Sequence, residues 1–162
     1  MIKAEIIGSE QVVAMLGSIY PKVIDITKKS ITASLFELSA YVKASKLSGQ
    51  VLRNRSGRLR RSIHTTDVED KGGTIEGAVG TNVEYAAAHE YGFSGSVTVK
   101  AHMRMCKQAF GRALKNPRSI SVGAHGRTVN LPEKSFLRSA LKELAPQFIT
   151  RLKEDVAKGL KT

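Results

Sequence analysis

The sequence predicts an α+β fold: a mostly antiparallel β-sheet packed against long N- and C-terminal helices, with an extended β-hairpin or loop arm. Three observations predict it. Apolar residues recur at helical spacing near both ends, through Ile24, Ile31, Leu35, Leu38 and Val42 and again from Leu137 to Val156. Short alternating segments punctuated by glycine lie between them. The elements run strand, helices, hairpin, short helix, hairpin, helix, an order in which helices pack on one side of an antiparallel sheet. A length of 162 residues suggests a single domain spanning residues 1–162, with a basic arm at about 94–131.

Taken in order, "IKAEIIG" alternates and ends in glycine, which predicts a short first strand. Ser9 and Glu10 form a helix N-terminal signature. Pro21 is expected to break or kink this helix, and a longer one follows to about Leu47, where "LSGQ" stops it. Ser56 is positioned to cap a helical turn in which Leu59 and Ile63 share a face. "IHTTDVE" and "TIEGAVGT" read as two strands about the turn "DKGG", with Ile75, Gly77 and Val79 on one side. "NVEYAAAHEYG" reads as a short helix capped by Asn82 and ended by Gly92. "VTVKAHMR" and "ISVGAHGR" read as two strands of an extended hairpin, and they echo each other as Ala101-His102-x-Arg104 and Ala124-His125-x-Arg127. The last helix has Pro132 near its first turn and Pro146 inside it. Its stripe is Leu137, Leu141, Leu144, Phe148, Leu152 and Val156.

Hydrophobic and charged contents of 41% and 25% are ordinary for a globular chain, but a net charge of +12 is not. That charge favours a nucleic acid, an anionic membrane or an acidic protein as partner. It is concentrated. Seven Lys/Arg and no acid lie between Lys43 and His64, and seven more with no acid between Tyr91 and Pro132. A solvated face explains such runs as well as a binding surface does. Aromatics are sparse and no helix-turn-helix, zinc finger or RNA-binding aromatic motif is present, so any nucleic-acid contact is expected to be with phosphates.

Cys106 is the only cysteine, which excludes an internal disulfide and a cysteine-based metal site. The start lacks the basic and apolar regions of a signal peptide, and no apolar run approaches the roughly 20 residues that span a bilayer. Synthesis in a cytoplasm with no membrane partner is the expectation.

The chemically suggestive stretch is "VGTNVEYAAAHEYG", Val79 to Gly92. A zinc protease helix needs two histidines four apart, and His89-Glu90 supplies one. His89 and Glu90 as an acid–base pair is the alternative. The plainer reading is packing: Ala86, Ala87 and Ala88 allow close approach to a sheet, Tyr85 and Tyr91 fill the edges, and His89 and Glu90 lie at a polar margin. No G-x-S-x-G turn, phosphate-binding loop or dinucleotide fingerprint occurs, and no catalytic residue, metal or cofactor is expected.

"SGRLRRSI", "VGTNVEYAAAHEYG", "VKAHMR" and "NLPEKSFLRSAL" follow one another in that order. This series resembles the tail-completion and virion-morphogenesis (head–tail joining, minor tail component) proteins of tailed phages and prophages. The matching residues are Ser56, Gly57, Leu59, Ser62 and Ile63; then Gly80, Thr81, Tyr85, Ala86, Glu90 and Gly92; then Pro132, Phe136 and Leu137. The resemblance spans roughly Ser56 to Leu141 and departs at Lys134, where the family often has arginine. It implies a structural protein of the virion tail or neck, made in the host bacterial cytoplasm. Such a protein assembles as a ring at the head-proximal end of the tail and enables head–tail joining. The implied partners are further copies of the chain, the tail tube or tail terminator, the head connector or adaptor, and non-specifically the phage DNA. Tyr85, Glu90, Tyr91, Arg104, Arg112 and Arg127 are the expected subunit or partner contacts. Ser56, Gly57, Leu59, Gly80, Thr81, Gly92, Pro132, Phe136 and Leu137 are the expected structural motif. Two other readings stand beside it: a non-specific nucleic-acid-binding protein, on charge alone, and a small hydrolase or nuclease, on His89-Glu90 and the Ala-His-x-Arg echoes.

Overall fold

The computed structural model describes the backbone of residues 9–53, 56–109 and 111–161, with side chains from residue 13 onward within those ranges. The strand expected at Ile2–Gly8 lies outside them. The fold is α+β, with two long helices toward the ends and, among the described residues, strands paired in antiparallel fashion. The chain forms two compact units: Met1–Ala86 with Lys134–Thr162, and Ala87–Glu133.

In the first unit, helix α1 runs from Ser9 to Tyr41 without a break. Pro21 therefore does not end it, contrary to the sequence expectation. Proline removes one backbone donor, and the remaining bonds of a 33-residue helix carry the element across it. A π-helical turn, Val42–Lys46, follows, with Leu47 N donating to Val42 O at 3.0 Å. The turn at 47–50 then stops the helix where the sequence predicts.

Helix α4, Leu137–Lys161, lies antiparallel to α1. Arg151 Nη1 meets Glu37 Oε2 at 2.6 Å, Glu143 meets Tyr41 and Lys46, and a Cβ added at Gly159 would overlap Ile26. Ala140 and Leu144 are buried, whereas Leu141, expected in the stripe, is 49% exposed. Positions 140 and 141 both fit a 3.6-residue stripe, and the small alanine takes the inner one. Pro132 is likewise not in the first turn of α4, which opens five residues later. Ser135 accepts a bond from Ser139 N at 3.2 Å at that N-terminus.

Helix α2, Arg58–Ser62, follows Gly57 (φ 70°), and its chain leads into the hairpin. That hairpin is one ribbon in two ladders. Strands β1, His64–Thr65, and β4, Val79–Gly80, form one pair; β2, Glu69–Lys71, and β3, Thr74–Glu76, form the other. Between the ladders Thr66 exchanges bonds with Ala78: Thr66 N donates to Ala78 O and Ala78 N to Thr66 Oγ1, both at 2.8 Å. Gly72 and Gly73 (φ 66° and 93°) make the two-residue turn, a geometry open to few other residues. A Cβ at Gly77, between β3 and β4, would come within 2.6 Å of Leu35 Cδ1, so the hairpin lies close on α1 here and a side chain would require Leu35 to shift. The core gathers Leu38, Val42, Leu47, Ile63, Val83, Ala86, Phe136, Ala140 and Leu144.

The second unit is a ribbon of four strands, where the sequence predicts two. Strand β5, Phe93–Val99, pairs with β8, His125–Leu131, and β6, His102–Ala109, pairs with β7, Arg112–Val122. Pro117, which cannot donate to a ladder, falls where β7 carries extra residues between Ala113 and Arg118. Among the described residues, none of the buried hydrophobic side chains belongs to this unit.

Candidate functional site

Two groups of sequence-predicted residues are placed differently by the fold. Of the expected structural motif, Ser56, Gly57, Leu59, Gly80, Thr81, Phe136 and Leu137 lie in the first unit, and Gly92 and Pro132 in the second. Ser62 Oγ and Thr81 Oγ1 are 2.6 Å apart, joining the end of α2 to the strand end at Gly80. Thr81 Oγ1 also accepts from Val83 N at 3.2 Å, and Ala86 N donates to Val83 O at 3.0 Å. These bonds set Val83 and Ala86 into the core beside Ile63 and Phe136. Leu59 and Leu137 are half-buried against the same core. Ser56 is exposed and accepts from Arg58 N at 3.4 Å, but contrary to expectation it is not the cap of α2: Gly57 holds that position, with no side-chain capping bond.

Helix α3, Ala86–Tyr91, starts later than the sequence predicts. Asn82 is not its cap, because the chain from Thr81 to Val83 is held by the Thr81 hydroxyl and turns once more before the helix begins. Tyr85 precedes the helix and Tyr91 ends it, 41% and 66% exposed. Glu90 is 4% exposed, so it does not lie at a polar margin; His89 is half-buried. Gly92 (φ 77°) turns the chain into β5. A Cβ there would meet Glu133 N at 3.0 Å and Leu131 O at 3.1 Å, so backbone occupies its side-chain space. Pro132 lies in the loop between these contacts.

The contact arginines lie on the ribbon. Arg104, Arg112 and Arg127 are all exposed. Arg104 faces Ile120 across the ladder and Cys106 faces Arg118, so Arg104, Cys106, Arg118 and Ile120 share one face. Cys106, Ala109, Leu114 and Ile120 line an open concavity there, together with Arg112 and Arg118. Arg127 pairs with Val97. Of the basic run before the hairpin, Arg53, Arg58, Arg60 and Arg61 are exposed, Lys43 is half-buried and Lys46 is buried; Arg55 lies outside the described residues.

The Ala-His-x-Arg echoes have a local cause. His125 pairs with Val99 and His102 with Val122, so Lys100–Ala101 and Gly123–Ala124 face each other where the ribbon passes from one ladder to the next. Each histidine begins a strand, and its Nδ1 lies 3.0 Å from the carbonyl two residues back, Lys100 O or Gly123 O. His64, at the start of β1, does the same with Ser62 O. Among the described residues no cluster of three His, Cys, Asp or Glu is placed to hold a metal ion.

One polar site has no counterpart in the sequence reading. Glu143 accepts from Lys46 Nζ through Oε1 and from Tyr41 Oη through Oε2, both at 2.7 Å. The Lys46 ammonium, itself buried, sits 5.7 Å from the Tyr41 ring centre. The bond from Lys46, then that from Tyr41, holds the Glu143 carboxyl below its usual range, and the bond to Glu143 raises the Tyr41 phenol. Lys46 falls four residues after the buried Val42, on the apolar side of the helix, and that spacing is the signal the sequence offers.

Comparison with known proteins gives one family. The family described as "Bacteriophage HK97-gp10, putative tail-component" matches residues 10–92, about half of the chain. That span contains α1, the π turn, α2, the first hairpin and α3, and it ends at Gly92. No curated protein and no solved structure matches the chain.

Proposed function

Because this chain belongs to the HK97-gp10-like family of phage tail components, a structural part of the virion that contacts other virion proteins, we propose that it completes the head-proximal end of the tail and makes that end competent to join the head. In this reading copies of the chain form a ring between the tail tube or its terminator and the head connector. The chain is one tail-completion-like domain, and the ribbon at about 94–131 is its arm. The exposed Tyr85, Tyr91, Arg104, Arg112 and Arg127 contact neighbours, and the buried Glu90 supports the corner from within.

The observation that carries the reading is the ribbon itself. It bears seven cations and no acid from Tyr91 to Pro132, and none of its described hydrophobic side chains is buried. A two-stranded ribbon with so little burial is marginal alone in water and gains order from a partner. A closed ring needs two different patches on each subunit, and such an arm supplies one of them. Among the described residues no helix is long and apolar enough to cross a membrane.

Electron microscopy of a lysate lacking this protein tests the proposal. Full heads beside separate tails of finished length are expected; normally joined virions would remove the role. The cations also support a second reading, contact with the phosphates of DNA. Duplex binding that falls steeply between low and physiological salt, by a chain that never enters particles, would favour it.

A further inference from the structure

We propose that the arginine-bearing face of the β6–β7 ribbon docks on the α1–hairpin face of a second copy of this chain, the two faces being the unlike halves of one repeating contact. The inference rests on the ring reading above and names the surfaces that would meet.

The receiving face lies in the first unit. Helix α4 runs out opposite Ile26, where Gly159 packs, while α1 continues N-terminally for several more turns. The apolar stripe of α1 continues with it. Val13, Leu16 and Tyr20 stand in line with Ile24 and are more than half exposed. The tip of the first hairpin lies beside this row: a Cβ on Gly73 would sit 3.8 Å from Tyr20 Oη. Tyr20, Pro21, Ile24, Asp25, Lys28 and Asp70 line a shallow concavity there.

On α1 the charges are mixed, with Lys28 lining the concavity beside Asp25 and Lys29 paired to Asp25 at 2.7 Å, but the charge of the hairpin runs against that of the whole chain. From Thr65 to Tyr85 there are five carboxylates and one lysine, in a protein of net charge +12. Glu69 and Glu76 sit directly opposite in the ladder, a like-charge pairing that costs stability in the free subunit. Lys71 answers both, at 3.0 Å from Glu76 and 4.0 Å from Glu69. Asp70 Oδ1 is engaged by Gly73 N at 2.9 Å, which fixes the turn.

The docking face carries the complementary pattern. Ile120, Leu114 and Cys106 form an apolar floor, and Arg104, Arg112 and Arg118 edge it, with no carboxylate on the ribbon. An apolar row that meets an acidic hairpin tip at Tyr20 and Ile24 thus has its counterpart in an apolar floor bordered by arginines. Charges arranged in this way steer encounter and fix register. Because the patches differ, each copy offers one of each, and the contact propagates from copy to copy and closes if the rotation allows.

Charge reversal by mixing tests the contact. One full-length variant carries Arg104→Glu and Arg118→Glu on the ribbon; the other carries Asp25→Lys and Glu76→Lys on the receiving face. All four positions are exposed, and thermal melts matching the unaltered chain establish that both variants fold. Each variant alone sets like charges against like, and joined-particle yield in a lysate lacking the chain is expected to fall about tenfold or more. Co-expression pairs a negative arm with a positive face and the reverse, and is expected to restore the yield. Folded variants that fail to recover together, or that each support normal yield alone, would overturn the contact. Failure to recover coupled with lost duplex binding by the ribbon variant would reassign the arm to DNA. Normal virions without any chain would instead refute the tail-completion reading. In that case sedimentation of the same variants, alone and mixed, still decides the contact: mixed variants that associate more than either alone support it, and mixed variants that do not associate overturn it.

Discussion

Lys46 Nζ lies 2.7 Å from Glu143 Oε1, an ion pair with one partner buried on the π turn and the other half in solvent on α4. The asymmetry sets what each substitution does. Glu143→Ala leaves an ammonium buried without its counter-charge and is expected to lower the melting temperature by several degrees. Lys46→Met leaves a carboxylate that water can reach and is expected to be milder. Thermal melts of the two variants side by side check the order, and a larger loss for Lys46→Met would refute it.

The same pair predicts a pH dependence. The Glu143 carboxyl is depressed in the folded chain, so its contribution is present above the ordinary carboxylate value of 4.5 and is lost as pH falls through the lower folded value. Tyr41 is raised, so its contribution is present below 10.0 and is lost as pH rises through the higher folded value. Glu143→Gln should lose less stability than the unaltered chain between pH 5 and strongly acidic solution, and Tyr41→Phe less above pH 10. Parallel melting curves for variant and parent at both extremes would show that the pair is not coupled to folding.

Phe136 is fully buried just ahead of α4, beside Val83 and Ala140 in the core. Phe136→Ala is expected to cost about 3–5 kcal/mol, and the half-buried Leu137→Ala about 2 kcal/mol, by lost burial and the cavity left behind. Leu141→Ala should stay within about 0.5 kcal/mol, because that side chain is on the outer face. Denaturant midpoints rank the three, and an effect of Leu141→Ala as large as that of Phe136→Ala would contradict the packing of α4.

The contrast between Leu137 and Leu141 shows where the sequence is legible. Features fixed by local backbone chemistry can be read directly: the Gly72–Gly73 turn, the Gly92 corner, the stop at 47–50 and the helical spacing at both ends. Features set by what lies across the core cannot. A stripe has two candidate residues per turn, and only the approach of α1 decides that Ala140 faces inward and Leu141 outward. Lys46 counts among the cations of an acid-free run, and only the fold shows that it is itself buried and paired with Glu143. The two ladders of the ribbon read as single strands because alternation continues through Lys100–Ala101. Glu90 reads as a margin residue because sequence gives its spacing and not its cover.

Gly92 offers a sharper test of the corner. Its φ of 77° disfavours any L side chain by about 1–2 kcal/mol, and the two backbone atoms at 3.0 and 3.1 Å leave a methyl no room to move into. Gly92→Ala is expected to loosen the β5–β8 ladder before it unfolds the helical unit. Amide hydrogen exchange should then be faster from Phe93 to Val99 than in α1 or α4. Unchanged protection of that ladder would mean the corner accommodates the methyl.

Arg112 separates assembly from folding. It opens β7 at the end of the ribbon, exposed, paired in the ladder with Ala109 and lining the arginine-edged concavity. Reversing its charge removes no buried contact, so Arg112→Glu should change stability by no more than about 0.5 kcal/mol. The same reversal puts a carboxylate into a stretch that otherwise has none, where the proposed partner surface is itself acidic. Joined-particle yield should therefore fall although the melt is unchanged, and raising the salt should narrow the difference between variant and parent in any direct association assay. Normal yield with Arg112→Glu would count against a role for the arm, whereas a lowered melt would show that the ribbon depends on this arginine to fold.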